Sequence, residues 1–307
     1  MRIAHFSDLH ILSLAGVLPH RFLNKRLSGY ANLKLKRGHI HRPAYVRAIA
    51  REIARTSIDH VAITGDITNL ALEPEFEAAR ALLQDALGLD PKNVSVVPGN
   101  HDLYTRGALR TRRFMRYFGP FVESDLPELA VDIGLGRFPF VRLRGPLAIV
   151  GLSSAVPRLP FVAAGRIGER QLDAFARVLA HPDVRSRTPV VLLHHPVQNP
   201  PSRLKTLLEG LEDADALTAH VQGFAHGLIL HGHLHRRQQR HLETRAGKLH
   251  VVGATSASLH HDTHEKMASF NVYEFDDTGK LVEVESHILE PETETFRVTE
   301  VPHATWS

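Results

Sequence analysis

Residues 94–102 read Val-Ser-Val-Val-Pro-Gly-Asn-His-Asp, a mainly apolar run that ends in a proline and a polar loop. Such a run is typical of a buried β-strand, and Pro98 has no N–H group with which to continue the strand. The loop then offers an amide oxygen from Asn100, an imidazole from His101 and a carboxylate from Asp102. These groups suit a metal site, but a Gly-Asn pair after a strand is also ordinary turn chemistry. The stretch on its own leaves both interpretations open.

Four other apolar runs end in the same manner, each in a loop that carries Asp or His. These loops are Ser7-Asp8-Leu9-His10 after residues 2–6, Gly65-Asp66 after residues 60–64, His194-His195 after residues 190–193, and His231-Gly232-His233-Leu234-His235 after residues 228–230. In open α/β sheets, ligands and catalytic groups gather at the carboxyl ends of the strands. One buried Asp or His is usually a hydrogen-bonded core group. Five such endings together predict a metal site.

The spacing inside these loops favours two ions. Asp8 and His10 are two residues apart and lie on the same side of an extended segment, as do His233 and His235. The carboxylate of Asp66 has two oxygens and can bridge two cations. In two-metal sites the ions lie ~3.5–4 Å apart and clamp the attacking and leaving oxygens of a displacement at phosphorus. Imidazole, carboxylate and amide ligands suit Mn, Fe or Zn better than Ca or Mg.

Apolar periodicity predicts the order of the elements around these loops. Helices are expected from Pro43 and from Pro74, so the first hundred residues read as strand, helix, strand, helix, strand, which indicates a parallel sheet. Strands at 249–252, 270–275 and 282–288 read as an antiparallel second sheet packed on the first. Because no linker is evident, we expect one domain over residues 1–290 and a C-terminal tail over residues 291–307.

The amino-acid composition indicates a globular protein and excludes sites built on cysteine. The chain has 307 residues, of which 43% are hydrophobic and 23% are charged, as in an ordinary globular protein. It has no cysteine, so a disulfide framework, a thiolate metal site and a phosphocysteine route are excluded. No apolar run approaches the ~20 residues of a membrane span, and Met1 leads directly into the first strand. A cytoplasmic location is therefore expected.

The net charge of +4 is unevenly distributed. No Asp or Glu occurs from Leu9 through Arg51, and the connection over residues 11–41 interleaves Lys and Arg with apolar residues. A connection of this length beside a site is commonly a lid or specificity element. A second basic stretch follows Asp102 and begins with Arg106. The two stretches are either solvated basic surfaces or the rim of one cleft, where they would attract an anionic substrate.

The five loops, taken in order, resemble the signature of the calcineurin-like metallophosphoesterases over residues 1 to about 235. The resemblance implies an α/β fold, a four-layer α/β/β/α sandwich with two mixed β-sheets flanked by helices. It implies two ligand sets: Asp8, His10, Asp66 and His235 for the first ion, and Asp66, Asn100, His194 and His233 for the second. His194 is preferred to His195 because the ligand of relatives lies two residues before the proline. His195 and Arg106 are then expected to bind substrate.

The resemblance also implies the roles of two further residues. His101 is not a ligand but faces the substrate phosphate, as the acid for the leaving alkoxide or as a cation against transition-state charge. Asp102 would orient it. The nucleophile would be a metal-bound hydroxide, which is available near neutral pH because coordination lowers the pKa of water.

The predicted function is a metal-dependent phosphodiesterase that acts on a small anionic phosphoester. The Ser-Asp-Leu-His opening and the His-His-Pro segment look most like bacterial cyclic-nucleotide phosphodiesterases, so a 3′,5′-cyclic nucleotide such as cyclic AMP is the first expected substrate. The runner-up is a lipid-linked pyrophosphate of the UDP-2,3-diacylglucosamine type, because residues 18–41 suit peripheral contact with an anionic membrane at its inner face. A nucleic-acid phosphodiesterase ranks third, and no stable nucleic-acid partner is expected, since no aromatic stacking module is evident. A non-catalytic scaffold ranks last because every ligand position is filled. The sequence does not indicate the oligomeric state.

Overall fold

Two six-stranded β-sheets and a short hairpin form the centre of the protein, of which the computed structural model describes residues 1–32 and 40–304. The strands in chain order are β1 (Arg2–Phe6), β2 (His60–Ile63), β3 (Val94–Val96), β4 (Val131–Asp132), β5 (Arg137–Phe138), β6 (Phe140–Arg144), β7 (Leu147–Gly151), β8 (Thr188–Leu192), β9 (Leu228–His231), β10 (Gln238–Glu243), β11 (Lys248–Gly253), β12 (Ser269–Phe275), β13 (Leu281–Glu290) and β14 (Thr295–Glu300).

Helices cover the outer face of each sheet. They are α1 (Arg26–Asn32), α2 (Pro43–Arg55), α3 (Glu73–Leu87), α4 (Arg106–Arg110), α5 (Arg113–Phe118), α6 (Glu169–Ala180), α7 (Pro182–Arg185), α8 (Arg203–Glu209) and α9 (Ala214–His220), with 3-10 helices at Pro19–Phe22, Pro91–Asn93, Gly119–Val122 and Pro127–Leu129. The two helices predicted from prolines form where expected. In α2, Pro43 occupies the first turn, and Val46, Ile49 and Ile53 are buried at helical spacing.

Strand alternation produces the layers. The first sheet has the order β14-β13-β12-β1-β2-β3 and the second β10-β11-β9-β8-β7-β6, each with both parallel and antiparallel pairs. Along β8, Val190 and Leu192 face the core between the sheets, whereas Val191, and Leu193 directly after the strand, face the helices outside. The order from one side to the other is helices, sheet, sheet, helices, which confirms the predicted four-layer α/β/β/α sandwich.

The expectation that the C-terminal strands form a separate antiparallel sheet is wrong. Strands β12 to β14 are antiparallel to one another, but β12 pairs with β1, in the register Arg2 with Glu274, and so extends the first sheet. Strand β11 instead lies parallel to β9 in the second sheet. Alternation within a strand fixes which face is buried but does not choose the partner strand.

Two segments discussed above lie near the ends of the predicted domain. Within the predicted tail 291–307, Thr295–Glu300 is β14 and pairs with β13. In the connection over residues 11–41, the structure describes a 3-10 helix and α1, and residues 33–39 lie outside the described part. The domain boundaries stay a prediction. In the described residues, helices long and apolar enough to cross a membrane are absent.

Candidate metal centre

Backbone strain marks the loops at the strand ends. Five of the seven predicted ligand residues have left-handed φ angles, between 47° and 68°. These residues are Asp8, His10, Asp66, His233 and His235. Such a conformation costs a non-glycine residue ~1–3 kcal/mol and persists only where surrounding contacts hold it. Here the loops hold each other, because the Asp8 N–H donates to Gly65 O and the His10 N–H to Asp66 O, both at 2.9 Å.

Two glycines let these loops approach one another. A Cβ atom on Gly99 would meet the carboxylate of Asp66, and one on Gly232 would meet the carboxylate of Asp8. Both contacts would be closer than van der Waals distance and would involve a predicted ligand. The motif glycines are therefore required by the convergence of the loops.

The first predicted ligand set converges at the ends of β1 and β9. His235 Nε2 lies 3.1 Å from Asp8 Oδ1 and 3.1 Å from His10 Nε2. His10 Nε2 is also 3.8 Å from Asp8 Oδ1 and 4.0 Å from Asp66 Oδ2. Two imidazole nitrogens and two carboxylates are thus directed at one point, and the side chains of Asp8, His10 and Asp66 are almost fully buried.

The second predicted ligand set converges where the loops after β2 and β3 meet those after β8 and β9. His194 Nε2 lies 3.4 Å from Asp66 Oδ2 and 3.1 Å from Asn100 Oδ1. His233 Nδ1 lies 3.2 Å from Asn100 Oδ1 and 3.3 Å from His194 Nε2. Asp66 Oδ2 is therefore near His10 of one set and His194 of the other, a position from which a carboxylate could be shared. We call the seven side chains of both sets the metal cluster.

Hydrogen bonds outside the metal cluster engage one ring nitrogen in each of two histidines. His194 Nδ1 donates to Thr64 O at 2.7 Å, and His233 Nε2 donates to Glu209 O at 2.9 Å. Since a carbonyl oxygen only accepts, each of these nitrogens carries the proton. In His233, whose pKa burial lowers to about 3, the nitrogen that points into the cluster then has a lone pair, as a metal-ligating imidazole requires. Burial would also lower the pKa of His194, but the Asp66 carboxylate outweighs it and raises that pKa to about 9, so a cation would displace the proton on Nε2.

The electrostatics also suit bound cations. Burial holds the pKa of His10 well below its usual range and lowers that of His233 to about 3, so both imidazoles are neutral. Burial would raise the pKa of Asp66, but His194 and His101 outweigh it and keep the carboxyl ionised. Neutral imidazoles and ionised carboxylates are the protonation states that metal binding needs. The residues present fit two cations on nitrogen and oxygen ligands, and groups drawn from them lie within 4.8 Å of one another.

His101 lies beside the metal cluster and lines the cavity in front of it. Its Nδ1 donates to Asn69 O at 2.7 Å, its ring is edge-on to His10 at 5.0 Å, and Tyr104 stacks on it at 5.5 Å. Neither Asn69 nor Tyr104 was predicted from the sequence. Because Nδ1 is engaged as a donor to a carbonyl, proton exchange by this ring falls to Nε2.

The Asp102 carboxylate, predicted to orient the His101 imidazole, accepts hydrogen bonds from the backbone of both neighbouring loops. The donors are the N–H groups of Gly99, Ile67 and Thr68, at 2.9, 3.2 and 2.9 Å, and the Thr68 hydroxyl. The carboxylate is fully buried, and burial raises its pKa to about 7. Asp102 thus joins the loop after β2 to the loop after β3, and its role as the residue that orients His101 stays a prediction.

The two predicted substrate-binding residues differ in position. His195 is buried behind His233, with Nδ1 2.8 Å from Ser154 Oγ and Nε2 2.8 Å from Ala163 O, so both of its ring nitrogens have protein partners. Arg106 is the exposed first residue of α4. The structure brings together the seven predicted ligands and His101, whereas the roles of all these residues stay predictions.

A cavity of about 480 Å³ opens in front of the metal cluster, within the size range of small-molecule sites. Its lining includes the basic side chains of Lys205, Arg236 and Arg240. Sequence reasoning missed all three. The position of Arg236 directly after His235 was a signal that could have found it, but Lys205 lies in a separate helix whose approach to the cavity depends on tertiary structure.

Comparison with known proteins gives a family match and distant structural likenesses. A family model described as calcineurin-like phosphoesterase matches residues 1–237. No curated protein matches the chain in sequence. The fold is similar to that of a dimetal phosphatase from Danio rerio (LOC 393393), at 14% identity and a TM-score of 0.57, over 100% of this chain and 99% of that one.

Two larger proteins share the fold over part of their length. Purple acid phosphatase PPD1 from yellow lupin matches at 11% identity and a TM-score of 0.61, over 97% of this chain and 52% of that one. The 5′-nucleotidase precursor from Thermus thermophilus matches at 16% identity and a TM-score of 0.51, over 93% and 53%. This chain spans about half the length of these two proteins, and identities this low establish likeness of fold alone.

Proposed function

The chain belongs to the calcineurin-like phosphoesterase family of metal-dependent phosphoric ester hydrolases, and we propose that it is a phosphodiesterase with two metal ions. One observation carries the proposal: seven Asp, His and Asn side chains from five strand ends converge, Asp66 among them, and Asp66 Oδ2 lies 3.4 Å from His194 Nε2 and 4.0 Å from His10 Nε2. A structural role alone does not account for five strained ligand residues at one point.

The proposed roles follow from the contacts of each residue. The metal cluster would hold the two cations, in the two ligand sets described above. When bound, the cations would polarise a phosphoryl oxygen and lower the pKa of coordinated water. His101, held by the Asn69 carbonyl at Nδ1, would give the proton on Nε2 to the leaving oxygen. Tyr104, which stacks on the His101 ring, would keep the imidazole facing the cavity.

The first proposed substrate is a 3′,5′-cyclic nucleotide. The cavity has room for a mononucleotide, and one phosphodiester at the metal cluster would place the base and sugar towards Gln198, Gln238 and the basic side chains. Amide side chains offer both donors and acceptors, as a nucleobase edge requires.

A second candidate is a lipid-linked pyrophosphate. Lys205, Arg236 and Arg240 line the cavity beyond the metal cluster and suit a second phosphate. Helix α8, which brings Lys205 to the cavity, also carries the exposed Leu204 and Leu207, which a soluble nucleotide does not need.

Metal-loaded protein assayed against four esters tests these proposals. They are bis-p-nitrophenyl phosphate, p-nitrophenyl phosphate, cyclic AMP and a diacylated nucleotide-diphosphate lipid. A phosphodiesterase cleaves the first faster than the second. Turnover of cyclic AMP supports the first candidate, and turnover of the lipid alone supports the second. No turnover of any diester would contradict the proposed activity.

The His101→Asn variant tests the assignment of the acid. A positioned acid contributes ~10²–10⁴-fold, but it matters little for a good leaving group. We expect a large loss of kcat with an alkoxide leaving group, a small loss with p-nitrophenolate, and unchanged metal content. His264→Asn, at an exposed histidine far along the chain, is the matched control. An equal loss with both leaving groups would overturn the assignment.

A further inference from the structure

Exposed apolar side chains concentrate in three short segments. Among the described residues, eleven large hydrophobic side chains are more than a third exposed, and eight of them lie within residues 18–27, 159–161 and 204–208. We call these eight the apolar rim: Leu18, Leu23, Leu27, Leu159, Phe161, Leu204, Leu207 and Leu208. Single exposed leucines are unremarkable on a protein surface, but a concentrated set marks an interaction site.

Hydrogen bonds join the three segments beside the cavity. Lys25 Nζ donates to Arg158 O at 3.0 Å, which links the first segment to the second. The Ala163 N–H donates to Leu208 O at 2.7 Å, which links the second to the third. Ala163 and Lys205 both line the cavity. The second and third segments of the apolar rim therefore lie beside the candidate active site, and the first segment is joined to the second.

Helix α8 shows the pattern of an interfacial helix. Leu204, Leu207 and Leu208 have the i, i+3, i+4 spacing of one helix face, yet no residue of α8 is buried by the described part of the chain. An apolar face of this kind ordinarily packs on a core. In this structure it is 41–66% exposed.

Phe161 provides an independent sign. It is 86% exposed and has a φ of 65°, a conformation that is costly for a bulky residue. The protein thus holds an aromatic side chain outward at a strained position, and strain of this kind clusters at functional sites.

Charge identifies the kind of partner. Residues 18–27, 157–166 and 200–212, which carry the apolar rim, contain seven Lys and Arg but only two Glu. Arg26 is buried, and Arg21 and Arg158 form ion pairs with Glu73 and Glu212. The exposed cations include Arg166, Arg203 and Lys205. Leucines interleaved with cations suit an anionic bilayer, because the apolar side chains enter the interface while the cations attract acidic headgroups. Protein hot spots favour Trp, Tyr and Arg, and leucine is under-represented there.

We propose that the apolar rim docks this protein on the surface of an anionic phospholipid bilayer, with the mouth of the cavity facing the headgroups. The inference extends the membrane contact expected for residues 18–41 to two segments that the sequence did not indicate, 159–161 and 204–208. It does not rest on the proposed activity, because docking is a property of the surface and not of the ester that is cleaved.

Co-sedimentation with vesicles tests the docking. The full chain should bind vesicles of phosphatidylglycerol and phosphatidylcholine, and binding should fall to background on phosphatidylcholine alone or in high salt. The triple variant Leu23→Ser, Phe161→Ser, Leu207→Ser removes one apolar side chain from each segment. Because each buried methylene adds to the partitioning of an apolar group, we expect its binding to fall by about tenfold or more.

The matched control is Val282→Ser with Val298→Ser, two exposed valines on β13 and β14. This variant should bind as the wild type does, and both variants should keep the wild-type melting temperature because the substituted side chains are exposed. Arg203→Gln, at the start of α8, should lower binding about fivefold through the loss of one charge.

Three outcomes would overturn the proposal. They are equal binding of the wild type to anionic and neutral vesicles, no binding to either, and equal loss in the triple variant and the valine control. If the wild type ignores vesicles and elutes as a dimer that the triple variant abolishes, the rim joins two copies of the chain instead.

Discussion

The metal cluster and the apolar rim are neighbours around one cavity, but they differ in almost every physical respect. The cluster is largely buried and strained, its side chains lie within hydrogen-bond distance of one another, and its residues follow buried strands. The rim is exposed, belongs to loops and short helices, and leaves its apolar side chains without cover from the described residues. The contrast separates side chains that hold one another in place from side chains that the described residues leave exposed.

The largest effect on the metal cluster is expected from removing Asp66, the residue shared by both ligand sets. Asp66→Ala should lower turnover by more than about 10³-fold, since metal ions contribute several kcal/mol to transition-state stabilisation. It should also lower the metal content of the purified protein. Asp85→Ala, at an exposed position of α3, is the control and should retain both. Wild-type turnover in Asp66→Ala would contradict the proposal that Asp66 is shared by the two metal ions.

Asp102 tests whether the protein scaffold under the metal cluster is as tightly bound as the structure indicates. Asp102→Ala leaves three backbone N–H groups without their acceptor, which should cost about 3 kcal/mol or more of the free energy of unfolding. Urea unfolding in the presence of a chelator measures this without a contribution from metal. Asp102→Asn should lose less because its amide oxygen still accepts. A loss below ~0.5 kcal/mol in Asp102→Ala, a value ordinary for surface positions, would contradict the role.

Glu75, a buried carboxyl near the loops that carry the metal cluster, makes the stability of this buried region depend on pH. This buried carboxyl accepts from the N–H groups of Leu70 and Leu72, and burial raises its pKa to about 8. A pKa raised on folding stabilises the protein fully below the unfolded value of 4.5, and this contribution is lost as pH rises towards 8. The stability of the wild type should therefore fall relative to that of Glu75→Gln across this window, by at most ~1.4 kcal/mol per pH unit. Parallel pH profiles from urea unfolding would show that the carboxyl titrates normally.

The smallest effect is expected at the rim. Leu23→Ser and Leu207→Ser replace side chains that are 83% and 63% exposed, so each should change the free energy of unfolding by less than ~0.5 kcal/mol. Turnover of a soluble diester should also stay at the wild-type value. Urea unfolding and a bis-p-nitrophenyl phosphate assay check both points. A clear destabilisation would mean that these leucines pack within the protein and that the contrast drawn here is wrong.

The sequence predicted the strand ends because the relevant information is local. An apolar run shows where a strand lies and where it ends. The residues that follow it lie at the sheet edge, as with Asp66 after β2 and Asn100 after β3. The layered fold followed from the resemblance carried by these same loops. These features needed no knowledge of which strands pair.

Features that depend on pairing or packing were not predictable in this way. The position of β12 beside β1, the bond from Asp102 to the backbone, and the approach of Lys205 to the cavity all join residues that are distant or oriented by tertiary contacts. The exposure of Leu207 belongs to the same group, because helical periodicity predicts an apolar face but not whether that face is covered.

The metal content of the protein tests the central claim most directly. Protein freed of metal, reloaded with Mn, Fe or Zn and desalted should retain two ions per chain by elemental analysis, and Asp66→Ala should retain fewer. Two ions in the wild type together with their loss from the variant would agree with a pair of cations that share Asp66. Less than one ion per chain in the wild type, or an equal content in both proteins, would contradict it.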